Sequence, residues 1–139
     1  MDTALQLSQA TLTTAGVLML TIVAVQSGGL FMVRLVRGQA PATPFQLAFS
    51  RAGHAHAGVL VILSLVAQIY VDASGAQGIV GSIARSGIPA AAILMPAGFF
   101  FSSAGAGRTQ PNRLIWLLYL GALSLAAGVT ALGLALLAA

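Results

Sequence analysis

The chain alternates four long apolar segments with three short polar ones. Each apolar segment has about the 20 residues that a helix needs to cross the hydrocarbon core of a bilayer. Continuous apolar runs of this length favour helices over the alternating strands of a closed barrel. The sequence therefore predicts an all-α, polytopic transmembrane four-helix bundle, with residues 1–139 forming a single transmembrane domain. The predicted helices span about 12–36, 44–73, 86–103 and 111–137.

Helix-breaking residues separate the four segments. Residues 38–43 form a short turn, and Pro44 suits the first turn of a helix, where its missing N–H is not needed. Residues 74–82 are rich in glycine and serine, which predicts a loop. Residues 105–110 predict a third connection, after which Pro111 is expected at the start of the last helix.

The composition excludes a water-soluble fold. Hydrophobic residues make up 58% of the chain and charged residues 6%, against roughly 25% charged residues in soluble domains. The chain has no cysteine, which rules out disulfides and thiolate metal sites. The absence of lysine beside abundant alanine and glycine is typical of a GC-rich bacterial genome. We therefore expect a multi-pass protein of a bacterial cytoplasmic membrane, in contact with lipid and not with nucleic acid.

The distribution of arginine predicts the orientation in the membrane. Five of the six arginines flank the first and third connections: Arg34, Arg37, Arg51, Arg108 and Arg113. The opposite side carries Arg85 together with Asp72 and Asp2. Because basic residues stay on the cytoplasmic side, the first and third loops are expected inside the cell and both termini outside.

The candidate site is the segment Arg51-Ala52-Gly53-His54-Ala55-His56, which lies within an apolar stretch. Ionisable side chains at membrane depth are expensive and by default indicate function. Counting from Gly58 puts the histidines about 3 to 6 Å, and Arg51 about 10 Å, to the cytoplasmic side of the midplane. The same count for the other helices predicts a polar, ligand-binding layer. Its members are Gln26, Ser27, Arg51, His54, His56, Ser102 and Tyr119.

Helical geometry and the lack of acids restrict the chemistry of this layer. His54 and His56 are about 200° apart on a helix, so they cannot bind one metal ion, whereas His54 shares the face of Arg51. No carboxylate lies within a membrane interior, so a cation site is not expected. The electropositive layer suits an anionic group: a lipid or quinone head group, a haem propionate, or a partner loop.

Each of these residues also has a structural interpretation. Arg51 could act as a topology anchor whose side chain extends to the cytoplasmic surface. The histidines, Gln26 and Ser27 could instead hold helices together through hydrogen bonds in the membrane.

The last apolar segment carries small residues at helical spacing, which predicts close packing of another helix. The partner is either a helix of the same chain or, in a homodimer, a second copy; a larger membrane complex is a further alternative. The residues are Gly121, Ser124, Gly128, Ala131 and Ala135.

The segment Arg51-x-x-His54-x-His56, followed by Gln68 and Tyr70, resembles one helix of the large subunit of haem–copper oxidases and nitric oxide reductases. The resemblance covers about 20 residues of the chain, which as a whole resembles small four-helix bacterial membrane proteins. It implies haem as a cofactor and His54 as its axial ligand, with Arg51, on charge, near a propionate. A second ligand would be Met95, or His54 of a second copy.

Three functions follow from these observations. The first is an accessory or binding protein of a larger membrane system, with the Arg/His layer holding an anionic group. The second is a channel or transporter for a small anion or neutral solute, with histidines that respond to pH. The third is a haem-binding redox protein. An enzyme is not expected, because the chain presents no nucleophile with a base, no carboxylate pair and no phosphate-binding loop.

Overall fold

A computed structural model describes residues 6–139 of the protein. The helices are α1 (Gln9–Val36), α2 (Pro44–Ser74), α3 (Gly78–Ser103) and α4 (Trp116–Leu137), the last preceded by a short 3₁₀ turn at Arg113–Ile115. Four helical spans are long and apolar enough to cross a membrane, and the fourth includes the 3₁₀ turn. The predicted all-α, four-helix transmembrane architecture is confirmed, and the chain is a multi-pass membrane protein.

Local sequence signals explain where α1 and α2 begin. The Ser8 hydroxyl accepts a hydrogen bond from the backbone N–H of Thr11 at the start of α1. At the start of α2, the Thr43 side chain accepts from the Gln46 N–H, and the Gln46 side chain accepts from the Thr43 N–H. This reciprocal pair satisfies two donors that a helix start leaves free, while Pro44 contributes none.

The predicted loop at residues 74–82 is wrong for most of its length. The turn is confined to the residues between Ser74 and Gly78, and α3 begins eight residues before the predicted start at 86. Gly75 takes a left-handed conformation at φ 62°, which glycine adopts without strain. Gly81 lies so close to the backbone of Ala76 that a Cβ would clash with its carbonyl oxygen. The glycines that predicted a long loop therefore serve a tight helix–helix turn.

Smaller differences occur at two other helix starts. α1 begins at Gln9 and not at 12, because Ser8 caps it. The last helix was expected from 111, whereas its first turn is the 3₁₀ turn that begins at Arg113. There the Asn112 side chain accepts a hydrogen bond from the Leu114 N–H, which fixes the start of the turn.

The four helices do not contribute equally to the core. α3 packs closely against both α2 and α4, whereas α1 packs its backbone against α2 alone. Of the 28 residues of α1, Thr11 and Leu18 are the ones buried. Two apolar clusters fill the interior, one around Leu60, Ala91 and Met95, the other around Val71, Ile88 and Leu132. α1 is therefore a peripheral helix on a compact unit of three.

The first and third connections lie at the same end of the bundle. The Gln46 side-chain nitrogen donates to the carbonyl oxygens of Ser103 and Gly105 at 2.9 and 2.7 Å. The Thr43 hydroxyl donates to the carbonyl of Arg108. This end carries the five arginines of the predicted cytoplasmic side, and Arg85 and Asp72 lie at the opposite end. Asp2 lies outside the described residues, and the orientation in the membrane stays a prediction.

Candidate functional site

His54 lies at the contact between α2 and α1. A Cβ added at Gly28 would lie 3.4 Å from its Nδ1, and one added at Gly29 would lie 3.5 Å from its Nε2. The two consecutive glycines therefore form a slot in α1 that receives the imidazole ring. The ring is half-buried, and neither of its nitrogens forms a hydrogen bond within residues 6–139. Neither nitrogen is fully buried, so the ring keeps hydrogen-bonding capacity toward a molecule at this helix contact.

Arg51 lies one helical turn from His54, toward the end that carries the other arginines. Its side chain is exposed and forms no hydrogen bond or ion pair within the described part of the chain. Residues three apart on a helix share a face, so the guanidinium and the imidazole can reach one ligand. A guanidinium offers planar, charge-assisted donors that suit a carboxylate or a phosphate.

His56 belongs to a different interface. Its Nδ1 lies 2.8 Å from the carbonyl oxygen of Ala52, and because a carbonyl only accepts, Nδ1 carries the hydrogen. The ring lies against Phe99 of α3, with 5.0 Å between the ring centroids. The two histidines thus contact different helices, α1 and α3, in line with their spacing of two residues. His56 is held by packing, whereas His54 is open to a ligand.

The predicted members of the layer on α1 do not join Arg51 through direct contacts. Gln26 is exposed, and its amide forms no hydrogen bond within residues 6–139. Ser27 is also exposed, but its hydroxyl donates to the carbonyl of Val23 in the same helix at 3.0 Å. Ser27 is therefore satisfied locally, whereas Gln26 presents a free amide to the membrane.

The predicted members near α4 are also separate. Ser102 is fully buried, and its hydroxyl bonds to the carbonyl of Phe99 in its own helix at 3.4 Å. Tyr119 is exposed and stacks edge-on against Trp116 at 5.4 Å between ring centroids. Of the seven predicted residues, the structure brings only Arg51 and His54 onto one accessible face.

The arrangement of His54 and Met95 does not fit a haem held by both in one chain. Met95 is buried, and it lies against Gly121 of α4. His54 lies in the glycine slot of α1, and α1 does not pack against α4. His54 and Met95 lie at different helix contacts, so they do not face each other across the plane of one haem. Within residues 6–139, no group of three or more His, Cys, Asp or Glu side chains could hold a metal ion.

The small residues of α4 pack against α3 of the same chain. A Cβ at Gly128 would lie 2.9 Å from the backbone nitrogen of Ile88, and one at Gly121 would lie 2.8 Å from that of Met95. The Ser124 hydroxyl donates to the carbonyl of Gly87 at 2.8 Å. Packing within the chain, one of the two interpretations of these small residues, therefore accounts for Gly121, Ser124 and Gly128.

A second polar cluster, which sequence reasoning missed, lies at the opposite end of the bundle. Arg85 of α3 forms an ion pair with Asp72 of α2 at 2.6 Å. Its other terminal nitrogen donates to the Thr11 hydroxyl at 2.6 Å and to the Gln68 side-chain oxygen at 3.2 Å. Asp72 also accepts from the backbone N–H and the hydroxyl of Ser8, at 2.7 and 3.0 Å. We call these five residues the Arg85 network.

The Arg85 network is a closed set of partners. Gln68 and Thr11 are almost fully buried, and the Gln68 side-chain nitrogen returns a hydrogen bond to the carbonyl of Arg85 at 2.8 Å. The network joins α1, α2 and α3, so it fixes the peripheral helix to the core. Its signal in the sequence was the pairing of a rare acid, Asp72, with an arginine across one short loop.

Comparisons of the chain with models of protein families, with curated proteins and with solved structures find no match. The fold and the site define the chain as a multi-pass, four-helix membrane protein with two polar clusters. In one, around Arg85, the side chains bond to one another; in the other, at Arg51 and His54, they are open to a ligand.

Proposed function

We propose that this chain is a binding or accessory protein of a bacterial cytoplasmic membrane, and that Arg51 and His54 bind an anionic group. We call these two residues the Arg51 face. The observation that carries the proposal is the contrast between two arginines of one chain. Arg85 has every terminal nitrogen engaged by side chains, whereas Arg51 has no partner within residues 6–139.

The electrostatic setting favours an anion at the Arg51 face. Arg34 lies in the last turn of α1 and Arg37 directly after it, and both lie at the same end of the bundle as this face, as does Arg108. The chain contains two acids, of which Asp72 is engaged at the opposite end and Asp2 precedes the described residues. An anionic head group entering here meets arginines and no described carboxylate, and clusters of this kind attract anionic lipids.

The packing of the core supports binding over transport. The centre of the chain is filled by Leu60, Val61, Ala91 and Met95, all of them buried. Buried polar side chains such as Ser64 and Gln68 are engaged by hydrogen bonds. No buried side-chain nitrogen or oxygen within residues 6–139 lacks a hydrogen-bond partner. The polar groups left for a ligand lie on the outside, where α1 meets α2.

The bacterial membrane assignment rests on composition. The six basic residues of the chain are all arginine, and alanine and glycine are abundant. These three amino acids have GC-rich codons, whereas lysine has AT-rich codons. The four spans and the clustering of arginine at one end match a cytoplasmic membrane with that end inside.

Native mass spectrometry of the purified, delipidated protein tests the proposal. We expect phosphatidylglycerol to bind more tightly than phosphatidylcholine, and Arg51→Ala to weaken its binding about tenfold, since a hydrogen bond to a charged group contributes about 1.5 kcal/mol or more. His54→Ala should weaken binding less. Arg113→Ala, which removes an exposed arginine from the same end, is the matched control and should change little. Equal losses in Arg51→Ala and Arg113→Ala would contradict a defined site.

A further inference from the structure

The exposed amide of Gln26 is not explained by the Arg51 face. Gln26 lies about 12 Å along the helix axis from Arg34, toward the middle of α1. No hydrogen bond joins the Gln26 amide to an arginine within residues 6–139. An amide without a hydrogen-bond partner in hydrocarbon is unfavourable by several kcal/mol. A hydrogen-bonding group against this side of α1 would therefore be favourable.

Gln26 faces away from the helix that α1 already contacts. Gly28 and Gly29 mark the side of α1 that receives His54. At 100° per residue, Gln26 lies about 110° around the helix from the middle of that side. Its neighbours one turn away, Val23 and Leu30, are 61% and 69% exposed, so this side of α1 is largely uncovered by residues 6–139.

Six of the exposed residues of α1, Gln26 among them, are spaced as in a heptad. Spacings of three and four residues alternate along α1, as in the seam of a left-handed pair of helices. The members are Gly16, Met19, Val23, Gln26, Leu30 and Val33, and all of them are exposed. We call this set the α1 seam. Helix pairs in membranes mostly pack with this left-handed geometry.

We propose that the α1 seam pairs with the α1 seam of a second copy of this chain, and that the two Gln26 amides bond to each other across the two-fold axis. A carboxamide carries a donor with partial positive charge and an acceptor with partial negative charge, so two identical amides are complementary. Two copies with one membrane orientation are related by an axis along the membrane normal. Such an interface places each residue near the axis opposite itself.

The seam as a whole fits an identical helix. Gly16 has no atom within 4 Å of the position of a Cβ, which leaves room for a close approach. Met19, Val23, Leu30 and Val33 are apolar side chains, which pack into the gaps of an identical surface. A single polar residue within an apolar seam fixes the register of the pair. The dimer is independent of the Arg51 face, which lies on another helix.

Cysteine cross-linking in native membranes tests the dimer, because the chain contains no cysteine of its own. Met19→Cys and Val23→Cys place a thiol in the seam and should form a disulfide-linked band of twice the chain mass under mild oxidation. Leu20→Cys is the matched control, since Leu20 is 76% exposed but lies outside the seam. Cross-linking of Leu20→Cys as strong as that of Met19→Cys would overturn the proposal. So would a cross-linked band containing a different protein.

Substitution of Gln26 tests the hydrogen bond itself. In the Met19→Cys background, Gln26→Leu should weaken the dimer about tenfold, since such a bond contributes about 1.4 kcal/mol. Gln26→Asn should retain most of the pairing, because it keeps the amide. Ser27→Ala, whose hydroxyl is satisfied by Val23, should have no effect. A dimer unchanged in Gln26→Leu would contradict the role of the amide. Lipid binding at Arg51 is expected to be the same in all three variants.

Discussion

The Arg85 network and the Arg51 face each contain an arginine guanidinium, which has partners in the first and none within residues 6–139 in the second. Both contain an arginine on a membrane-spanning helix: Arg85 of α3 meets the side chain of Gln68 on α2, and Arg51 lies one turn from His54 on its own helix. In the Arg85 network both terminal nitrogens of the guanidinium donate to acceptors on α1 or α2, and the carboxylate of Asp72 balances the charge. At the Arg51 face the charge is unbalanced and the ring nitrogens of His54 are free within the described chain. The first arrangement stabilises the fold, whereas the second leaves binding capacity for another molecule.

The largest expected effect is the loss of stability on removal of Arg85. Arg85→Ala leaves the Asp72 carboxylate without its cation and frees acceptors on Gln68 and Thr11, so the free energy of unfolding should fall by about 3 kcal/mol. Arg51→Ala, the matched change at the open face, should alter it by no more than about 0.5 kcal/mol. Unfolding of both variants in one detergent, followed by circular dichroism, measures the difference. Similar losses of unfolding free energy in Arg85→Ala and Arg51→Ala would contradict the view that only the Arg85 network stabilises the fold.

A paired substitution separates the charge balance from the packing. Arg85→Met combined with Asp72→Leu removes both charges and keeps apolar volume, so it should be less destabilising than the sum of the single changes. The non-additive part of the unfolding free energy measures the coupling of the ion pair. Simple additivity would mean that the two groups do not stabilise each other.

An intermediate effect is expected at Gln68, which completes the Arg85 network. Gln68→Leu leaves the carbonyl of Arg85 without its donor and one guanidinium hydrogen without its acceptor. We expect a loss of about 1 to 2 kcal/mol in the free energy of unfolding. Ser86→Ala is a control at the same end, since the Ser86 hydroxyl is exposed and bonds only within its helix. If Gln68→Leu is as stable as this control, the Arg85 network does not need the hydrogen bonds of Gln68 for its stability.

Substitution of Gly29 by leucine is expected to change the stability little and the binding of lipid more. Its Cβ position lies 3.5 Å from the His54 ring, in ordinary contact, so we expect the further carbons of Gly29→Leu to displace the ring from its slot. The free energy of unfolding should change by about 1 kcal/mol or less, because the slot formed by Gly28 and Gly29 is open to lipid on one side. Binding of phosphatidylglycerol should weaken severalfold. Gly133→Leu is the control, since no atom lies within 4 Å of its Cβ position. Unchanged lipid binding in Gly29→Leu would exclude His54 from the site.

The sequence predicted the spans and the segregation of arginine well, because both depend on local composition. Apolar runs of sufficient length identify membrane helices without knowledge of their neighbours. The loop at 74–82 was predicted too long, since glycine at Gly81 is required by contact with Ala76 and not by a flexible chain. A close approach of this kind depends on the fold and leaves no local signal.

The candidate site was predicted in part, for a similar reason. Periodicity places Arg51 and His54 on one face of α2, and the structure keeps them together. Periodicity alone cannot tell which helix lies against that face. The contact of His54 with Gly28 follows from the packing of α1 on α2, and that of Thr11 with Arg85, across 74 residues, joins α1 to α3. Long-range contacts between helices are therefore the part that composition and spacing left open.

The most direct test measures how phosphatidylglycerol changes thermal unfolding in the wild-type protein, Arg51→Ala and Arg85→Ala. A lipid that binds the folded state at ten times its Kd raises the free energy of unfolding by about 1.4 kcal/mol, and a tenfold weaker site reduces this increment to about 0.4 kcal/mol. We expect Arg51→Ala to keep the basal stability and lose most of the lipid increment, and Arg85→Ala to lose basal stability and keep the increment. The reverse pattern, or equal increments in all three proteins, would contradict the assignment of Arg51 to binding and of Arg85 to the fold.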